Sequence, residues 1–318
     1  MSPRFSVIVP LYNKAPYVSK ALDSIVSQTF SDWECIIVDD GSIDNSAAIC
    51  EEYTVHHTPY TIHLLRQPNS GVASARNNGV AASKGENLCF LDADDWWEPT
   101  FLEEMDKLIR EYPNAGLYGC DYYYVKNGKK KIYPKDADGY IDYCKVYTHC
   151  KAMPIHPNGA IIPRKVFDEI GGFDPSIMMG EDFILFMQIV FRYKVVFLNK
   201  QLVTFNQDAD PKWRAITKMH KPEHHMLWHV GLWEEQEKSN ASYKTMIDML
   251  RVNGLMNYWL SDEYHEAAAA ELAKVDWSKQ PKKIKGLYKK PVRLLKLHHC
   301  FMRFGSYCKQ KLLQITHI

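Results

Sequence analysis

The 318-residue chain lacks any apolar stretch of the roughly 18 residues that a membrane-spanning helix needs. The run Phe5 to Pro10 gives way at once to Asn13 and Lys14 and is too short for a secretory h-region, so the expectation is a chain made and kept in the cytoplasm. Eight cysteines contain no Cys-x-x-Cys pair, and Cys35 and Cys89 lie inside apolar runs; reduced thiols in a core are expected rather than a zinc site or a disulfide framework. There is no Gly-x-Gly-x-x-Gly, no phosphate-binding Gly-x-x-x-x-Gly-Lys and no Gly-x-Ser-x-Gly. Dinucleotide oxidoreductases, P-loop NTPases and α/β-hydrolases thereby lose their main support. His265-Glu266 is followed by alanines, not by the second histidine of a zinc protease, and Pro222 interrupts the helix that would align His220, His224 and His225. No internal repeat or low-complexity linker is present. Acidic residues are missing altogether after Asp276, where eleven Lys and Arg lie between Lys279 and Lys311.

What remains is an ordinary globular composition, 46% hydrophobic and 24% charged, with an uneven charge distribution. The net charge of +1 hides a body, residues 1–276, that is about ten charges negative and a tail of eleven cations. Such a tail is either a solvated helix face or a surface for an anionic partner. Nucleic acid is not expected, because no aromatic platform or binding motif accompanies the charge.

The first hundred residues alternate short apolar runs with helical patterns in the order β-α-β-α-β-α-β, which predicts a parallel sheet with crossover helices. Val18, Ala21, Leu22, Ile25 and Val26 follow helical spacing, and Val72 to Ala82 is a further helix, for which Gly85 stands as a candidate left-handed cap. Asn127-Gly128 between strand-like flanks predicts a hairpin turn. Residues 164–172 read as a short helix stopped by Gly171-Gly172, and Phe183 to Phe191 as a buried helix with an acidic start. From about residue 215 the pattern is helical.

Two predicted strands end in acids, Asp39-Asp40-Gly41-Ser42 and Asp92-Ala93-Asp94-Asp95, at the carboxyl edge where open α/β sheets bind ligands. Two unit charges about 5 Å apart repel by ~3 kcal/mol at an effective dielectric of about 20, so the second cluster calls for compensation. A hard divalent cation would supply it; a solvated turn with Asp95 capping the next helix is the other reading. Asp39 or Asp40 either accepts hydrogen bonds from a ribose or base or belongs to a plain Asp-Gly turn. Arg76, just inside a helix that opens at Asn69-Ser70-Gly71, is placed to face phosphate or is a surface residue. Glu181-Asp182 at the mouth of an apolar helix either favours the helix dipole or supplies a general base.

Taken together these segments resemble the family 2 glycosyltransferases of the GT-A fold. The residues that carry the likeness are Ser6-Val7-Ile8-Val9-Pro10-Leu11-Tyr12-Asn13, Ile36-Ile37-Val38-Asp39-Asp40-Gly41-Ser42, Asn69-Ser70-Gly71 with Ala75-Arg76-Asn77-Asn78-Gly79, and Phe90-Leu91-Asp92-Ala93-Asp94-Asp95. Asn158-Gly159, Ile170-Gly171-Gly172-Phe173-Asp174 and Gly180-Glu181-Asp182 extend it to about residue 205. The resemblance implies an α/β, mostly parallel sheet flanked by helices in a catalytic domain over residues 1–210, with a nucleotide half to about 100 and an acceptor half beyond, and a helical basic extension over 211–318.

It further implies an inverting transferase that moves a sugar from a nucleotide sugar, UDP-linked, to a hydroxyl of a glycan or lipid-linked acceptor in cell-surface polysaccharide synthesis. Pro10, Tyr12 and Asn13 would shape the base pocket, Asp39 and Asp40 would hold uracil or ribose, and Arg76 and Asp92 would lie against the donor. Asp94, with Asp95 in support, would ligate Mn²⁺ or Mg²⁺; Asp182 would be the base and Glu181 its neighbour. Met187-Gln188 and Thr204-Phe205-Asn206-Gln207-Asp208 depart from the family pattern, leaving a third metal ligand and a closing loop unassigned. A sugar nucleotidyltransferase and a non-catalytic nucleotide-binding subunit are the rival classes. The basic tail, residues 279–311, is read as a surface for an anionic membrane, which would make the protein peripheral at the inner leaflet.

Overall fold

A computed structural model describes residues 2–56, 61–132, 135–210 and 219–296, without the side chains of 56, 231 and 232. It divides into two compact units, Met1–His229 and Val230–Ile318. The first therefore runs past residue 210, the boundary expected from the sequence. The reason is visible in the backbone: Met178 and Met179 donate to the His224 carbonyl at 2.9 and 3.1 Å, and Met226 donates back to Met179 at 3.0 Å, stitching residues 224–226 to the segment before Glu181.

In the first unit, β1 (Phe5–Leu11), β2 (Trp33–Asp39), β3 (Thr61–Arg66) and β4 (Asn87–Phe90) are mutually parallel and joined by α1 (Val18–Val26), α2 (Ser46–His56) and α3 (Val72–Ala82). β1 and β2 are buried along their whole length, as strands covered on both faces must be, and their β-branched composition suits that place. Register sets Leu11 beside Asp39 and Ile8 beside Phe90, so the carboxyl ends of β1, β2 and β4 form one edge. α1 buries Val18, Ala21, Leu22 and Ile25, the stripe its spacing predicts. α3 lies close to the sheet because Gly79 has no side chain: a Cβ there would stand 2.5 Å from Ile8 Cγ2.

Gly85 does not cap α3 in a left-handed conformation; that conformation is found elsewhere, at Gly171 and Gly180. Its smallness serves a close approach instead. A Cβ would run into the Ser6 hydroxyl, and the Gly85 N–H donates to Ser6 Oγ at 2.7 Å and to Glu34 Oε1 at 2.9 Å.

Beyond β4 come β5 (Trp96–Trp97), α4 (Phe101–Glu111), β6 (Ala115–Lys126), β7 (Lys129–Lys131), β8 (Gly139–Ile141) and α5 (Tyr143–Cys150). β9 (Ala160–Pro163), α6 (Arg164–Ile170), α7 (Glu181–Val190), β10 (Lys194–Asn206) and the short α8 (Met226–His229) complete the unit. The sheet order is β3-β2-β1-β4-β9-β6-β10-β5, with β9 antiparallel to both β4 and β6. Asn127 and Gly128 form the expected hairpin turn between β6 and β7, both at positive φ (52° and 67°). Cys35, Cys50, Cys89, Cys120 and Cys144 are free thiols buried in the fold, and Cys150 is half-buried.

The second unit is helical: α9 (Glu234–Ser239), α10 (Ala241–Gly254), α11 (Met256–Trp259), α12 (His265–Ala273) and α13 (Lys282–Tyr288). At its centre Arg251, fully buried, donates to both oxygens of Glu237 at 2.6 and 3.0 Å and to Glu271 at 3.2 Å. Among the described residues no helix is long and apolar enough to cross a membrane.

Candidate active site

The site is assembled where β1, β2 and β4 end. Pro10 is buried in β1 opposite Val38, and Tyr12 follows half-buried. Asn13 takes a left-handed φ of 52°, which asparagine tolerates better than most residues. Its N–H donates to Ser42 Oγ at 3.0 Å and its Oδ1 accepts from the Ile43 N–H at 2.9 Å, locking the turn after β1 to the turn after β2. Asp39 accepts from the Ser42 N–H at 3.0 Å. Asp40 is engaged more fully: it accepts from Gln67 Nε2 (2.8 Å) and from the N–H groups of Ser70 (2.7 Å) and Gly71 (2.9 Å), and so holds the entrance of α3.

The three acids after β4 occupy three different environments. Asp92 is 30% exposed at its side chain and accepts from Arg76 Nη2 at 2.9 Å. Burial alone would push its pKa up, but Arg76, His156 and Lys14 outweigh burial and hold the carboxyl below the ordinary range. Asp94, 14% exposed, is paired with Lys14 Nζ at 2.5 Å. Asp95 is buried; it accepts from the Asn206 N–H at 2.6 Å and from Asn158 Nδ2, and burial together with Asp94 and Asp92 raises its pKa well above the usual value. Asn158 also receives the Asp92 N–H at 3.0 Å, so one buried amide pins both ends of the turn. The compensation that the sequence seemed to require from a cation is thus present in Arg76, Lys14 and two amide donors.

A divalent ion nevertheless fits. Mg²⁺ and Mn²⁺ take one or two carboxylates and fill the remaining positions with water and phosphate oxygens. Asp94 and Asp92 offer that pair at a partly open edge, whereas the oxygens of Asp95 are taken up by the turn. Among the described residues no three His, Cys, Asp or Glu side chains gather to hold a metal by themselves.

Arg76 joins this edge to the second acidic pair. Buried at 3% exposure on α3, it bridges Asp92 and Glu181, donating to Glu181 Oε1 at 2.8 Å, with its guanidinium carbon 5.2 Å from the Phe173 ring centroid. Phe173 is placed by Asn77, whose amide bonds both its N–H (3.0 Å) and its carbonyl (2.8 Å). Gly180, at φ +83°, turns the chain into α7, and a side chain there would strike Met226 Sδ. Burial first, then Asp182, raises Glu181 to about 7 against the pull of Arg76. Asp182, half-buried, has its pKa raised by burial, opposed by Arg76 and assisted by the charge of Asp92. Its Oδ1 accepts from the Phe183 N–H at 2.7 Å.

Several residues at the site carry no mark in the sequence. Lys14 reads as a loop lysine, and only the fold brings it to Asp94. His156 stacks on Phe205 at 4.5 Å and is drawn down to about 4, mainly by burial, so its ring is neutral near pH 7. Tyr143 and Tyr147 from α5 lie within electrostatic reach of Asp182, and burial first, with that charge, raises both hydroxyls. No spacing rule announces contacts between segments this far apart in the chain.

Residues 6–171 match the family model described as glycosyl transferase family 2. The glycosyltransferase GlyA of Streptococcus pneumoniae serotype 4 is 30% identical over 272 residues, covering 79% of this chain but 38% of its own length, so the chain spans about two fifths of that relative. GlyG of the same strain is 26% identical over 294 residues, which cover 85% of this chain and 93% of GlyG. Staphylococcus aureus TarS 1-349, solved in complex with UDP-GlcNAc, superposes with a TM-score of 0.60 at 17% identity over 86% of this chain and 71% of its own. The mannosyltransferase PcManGT of Pyrobaculum calidifontis, in complex with GDP-Man and Mn²⁺, gives 0.59 at 20% identity over 99% and 84%. At these identities the two structures speak for the fold.

Proposed function

The chain belongs to the family 2 glycosyltransferases, and from that premise we propose an inverting enzyme that moves a sugar from a UDP-sugar to a hydroxyl of a glycan or lipid-linked acceptor in cell-surface polysaccharide synthesis. The observation that carries the reading is Arg76, which ties Asp92 at the carboxyl edge of the sheet to Glu181 beside Asp182. Residues far apart in sequence thus meet in one acidic cluster, which supports reading Asp92 and Asp94 as its donor side and Asp182 as its acceptor side. The relatives favour neither a nucleotidyltransferase nor a non-catalytic subunit.

In this reading Pro10, Tyr12 and Asn13 with Asp39 receive the nucleoside, while Asp40 keeps the α3 entrance in shape for it. Asp94 and Asp92 would hold Mn²⁺ or Mg²⁺, which when bound neutralises charge on the departing diphosphate. Asp182 accepts the proton of the acceptor hydroxyl as its oxygen attacks the anomeric carbon and the bond to the nucleoside diphosphate breaks; one displacement inverts the configuration. A base with a raised pKa is stronger when ionised; burial raises that of Asp182, and Arg76 opposes the rise.

A thermal-shift screen of nucleotide sugars with and without Mn²⁺ tests the donor assignment. A ligand at a hundredfold excess over its Kd adds about 2.7 kcal/mol, a rise of roughly 5–10 °C for a domain of this size. A UDP-sugar should give that rise only with Mn²⁺; no rise with any nucleotide sugar would end the proposal.

The second unit carries the basic residues read as a membrane surface. Lys282, Lys283, Lys289, Lys290 and Arg293 are exposed, and Leu294 is 58% exposed beside them. The sequence also offers Val292, Leu294, Leu295, Leu297, Phe301 and Met302 to such an interface; Leu295 is buried and cannot enter it, and Leu297, Phe301, Met302, Arg303, Lys309 and Lys311 lie outside the described residues. Each cation near an anionic leaflet contributes about 1 kcal/mol. The protein should sediment with phosphatidylserine-containing vesicles and be released by salt; equal binding to neutral vesicles would contradict an electrostatic surface.

A further inference from the structure

Lys14 is held from several sides. Its N–H donates to Ser46 Oγ at 2.7 Å, its carbonyl accepts from Tyr17 (2.8 Å) and Val18 (3.0 Å) at the start of α1, and Asn13 before it is locked to the β2–α2 turn. From this fixed base the side chain, 15% exposed, reaches Asp94 at 2.5 Å. With Asp92 paired to Arg76 and Asp95 taken up by the turn, Asp94 is the acid through which a cation would enter, and its cation is already in place.

We propose that Lys14 is a tethered counter-ion that occupies the cation position at Asp94 until a nucleoside diphosphate arrives, and then transfers its ammonium from the Asp94 carboxylate to the diphosphate. The proposal rests on the donor reading above. A divalent ion and an ammonium cannot share one partly buried carboxylate without strong repulsion, so an ion binding alone must dislodge Lys14 with nothing to receive it. An ion arriving with a diphosphate brings the acceptor that Lys14 needs. Metal and nucleotide therefore bind interdependently, each strengthening the other by the same factor.

The test uses the full chain, Lys14→Met and Lys14→Arg, each first shown to melt as a folded protein. Mn²⁺ alone is titrated by the loss of the free-ion electron paramagnetic resonance signal. UDP or GDP, whichever raises the melting temperature, is titrated calorimetrically with and without Mn²⁺. Lys14→Met should bind Mn²⁺ alone at least tenfold more tightly than the natural protein and the diphosphate without Mn²⁺ at least threefold more weakly, so the metal–nucleotide coupling shrinks. Lys14→Arg should keep most of the coupling. If Lys14→Met binds Mn²⁺ alone with unchanged affinity while both proteins bind Mn²⁺ and nucleotide tightly together, the role of Lys14 is overturned and the donor reading stands. If the folded natural protein binds no nucleoside diphosphate even with Mn²⁺, both fall.

Discussion

Asp182→Asn is expected to lower the transfer rate by about 100- to 10,000-fold, the range that removal of a general base costs, while the donor binds as before. The substitution is nearly isosteric. An asparagine Oδ1 can still accept from the Phe183 N–H, so the start of α7 keeps its geometry, and Arg76 retains both of its partners, Asp92 and Glu181. What disappears is the basic oxygen of the more exposed acid of the pair, whose pKa burial raises against the pull of the buried Arg76 guanidinium. Initial rates at saturating donor and acceptor, together with calorimetric donor affinity, separate the two effects. A variant that transfers within tenfold of the natural protein would remove Asp182 from the chemistry, and a collapse of donor affinity alone would assign it to binding.

Arg76→Met is expected to destabilise the first unit by about 3–5 kcal/mol, because breaking a buried ion pair strands the charge left behind. The partial exposure of Asp92 places the loss toward the lower end, whereas Glu181 is 11% exposed at its side chain and has little access to water. Urea unfolding measures it, and a loss below 1 kcal/mol would show that the bridge is incidental.

The same residue governs pH dependence. Arg76 lowers the pKa of both Glu181 and Asp182, so weakening it through Arg76→Lys lets both rise. A base must be ionised to act, so kcat/KM rises with pH through the pKa of Asp182. Its acid limb should lie above the ordinary aspartate range in the natural protein and move to still higher pH in Arg76→Lys. A limb that stays in place would mean that Arg76 does not tune the base.

The elements were legible wherever a segment reports its own surroundings. The unbroken apolar strands β1 and β2, the buried stripe of α1, the Asn127-Gly128 turn and the Gly171 stop of α6 all depend on contacts within a few residues or on simple burial, and each stands as its residues imply. Gly85 failed that rule: a glycine after a helix reads as a cap, but the reason for this one is strand β1 pressing against it. Asp95 failed it too, because an acid before a helix reads as a cap or a ligand, and here it is buried between Asn158 and Asn206.

By itself the amino-acid order determined that acids stand at the ends of parallel strands and at the mouth of an apolar helix, since hydrophobic periodicity and turn chemistry act over short range. Only the tertiary structure decided which of those acids are matched and by whom. Electrostatic compensation depends on distance in space: Lys14 meets Asp94, and Arg76 meets Asp92 and Glu181, through contacts that span up to 105 residues and exist only once the sheet has brought its edge together.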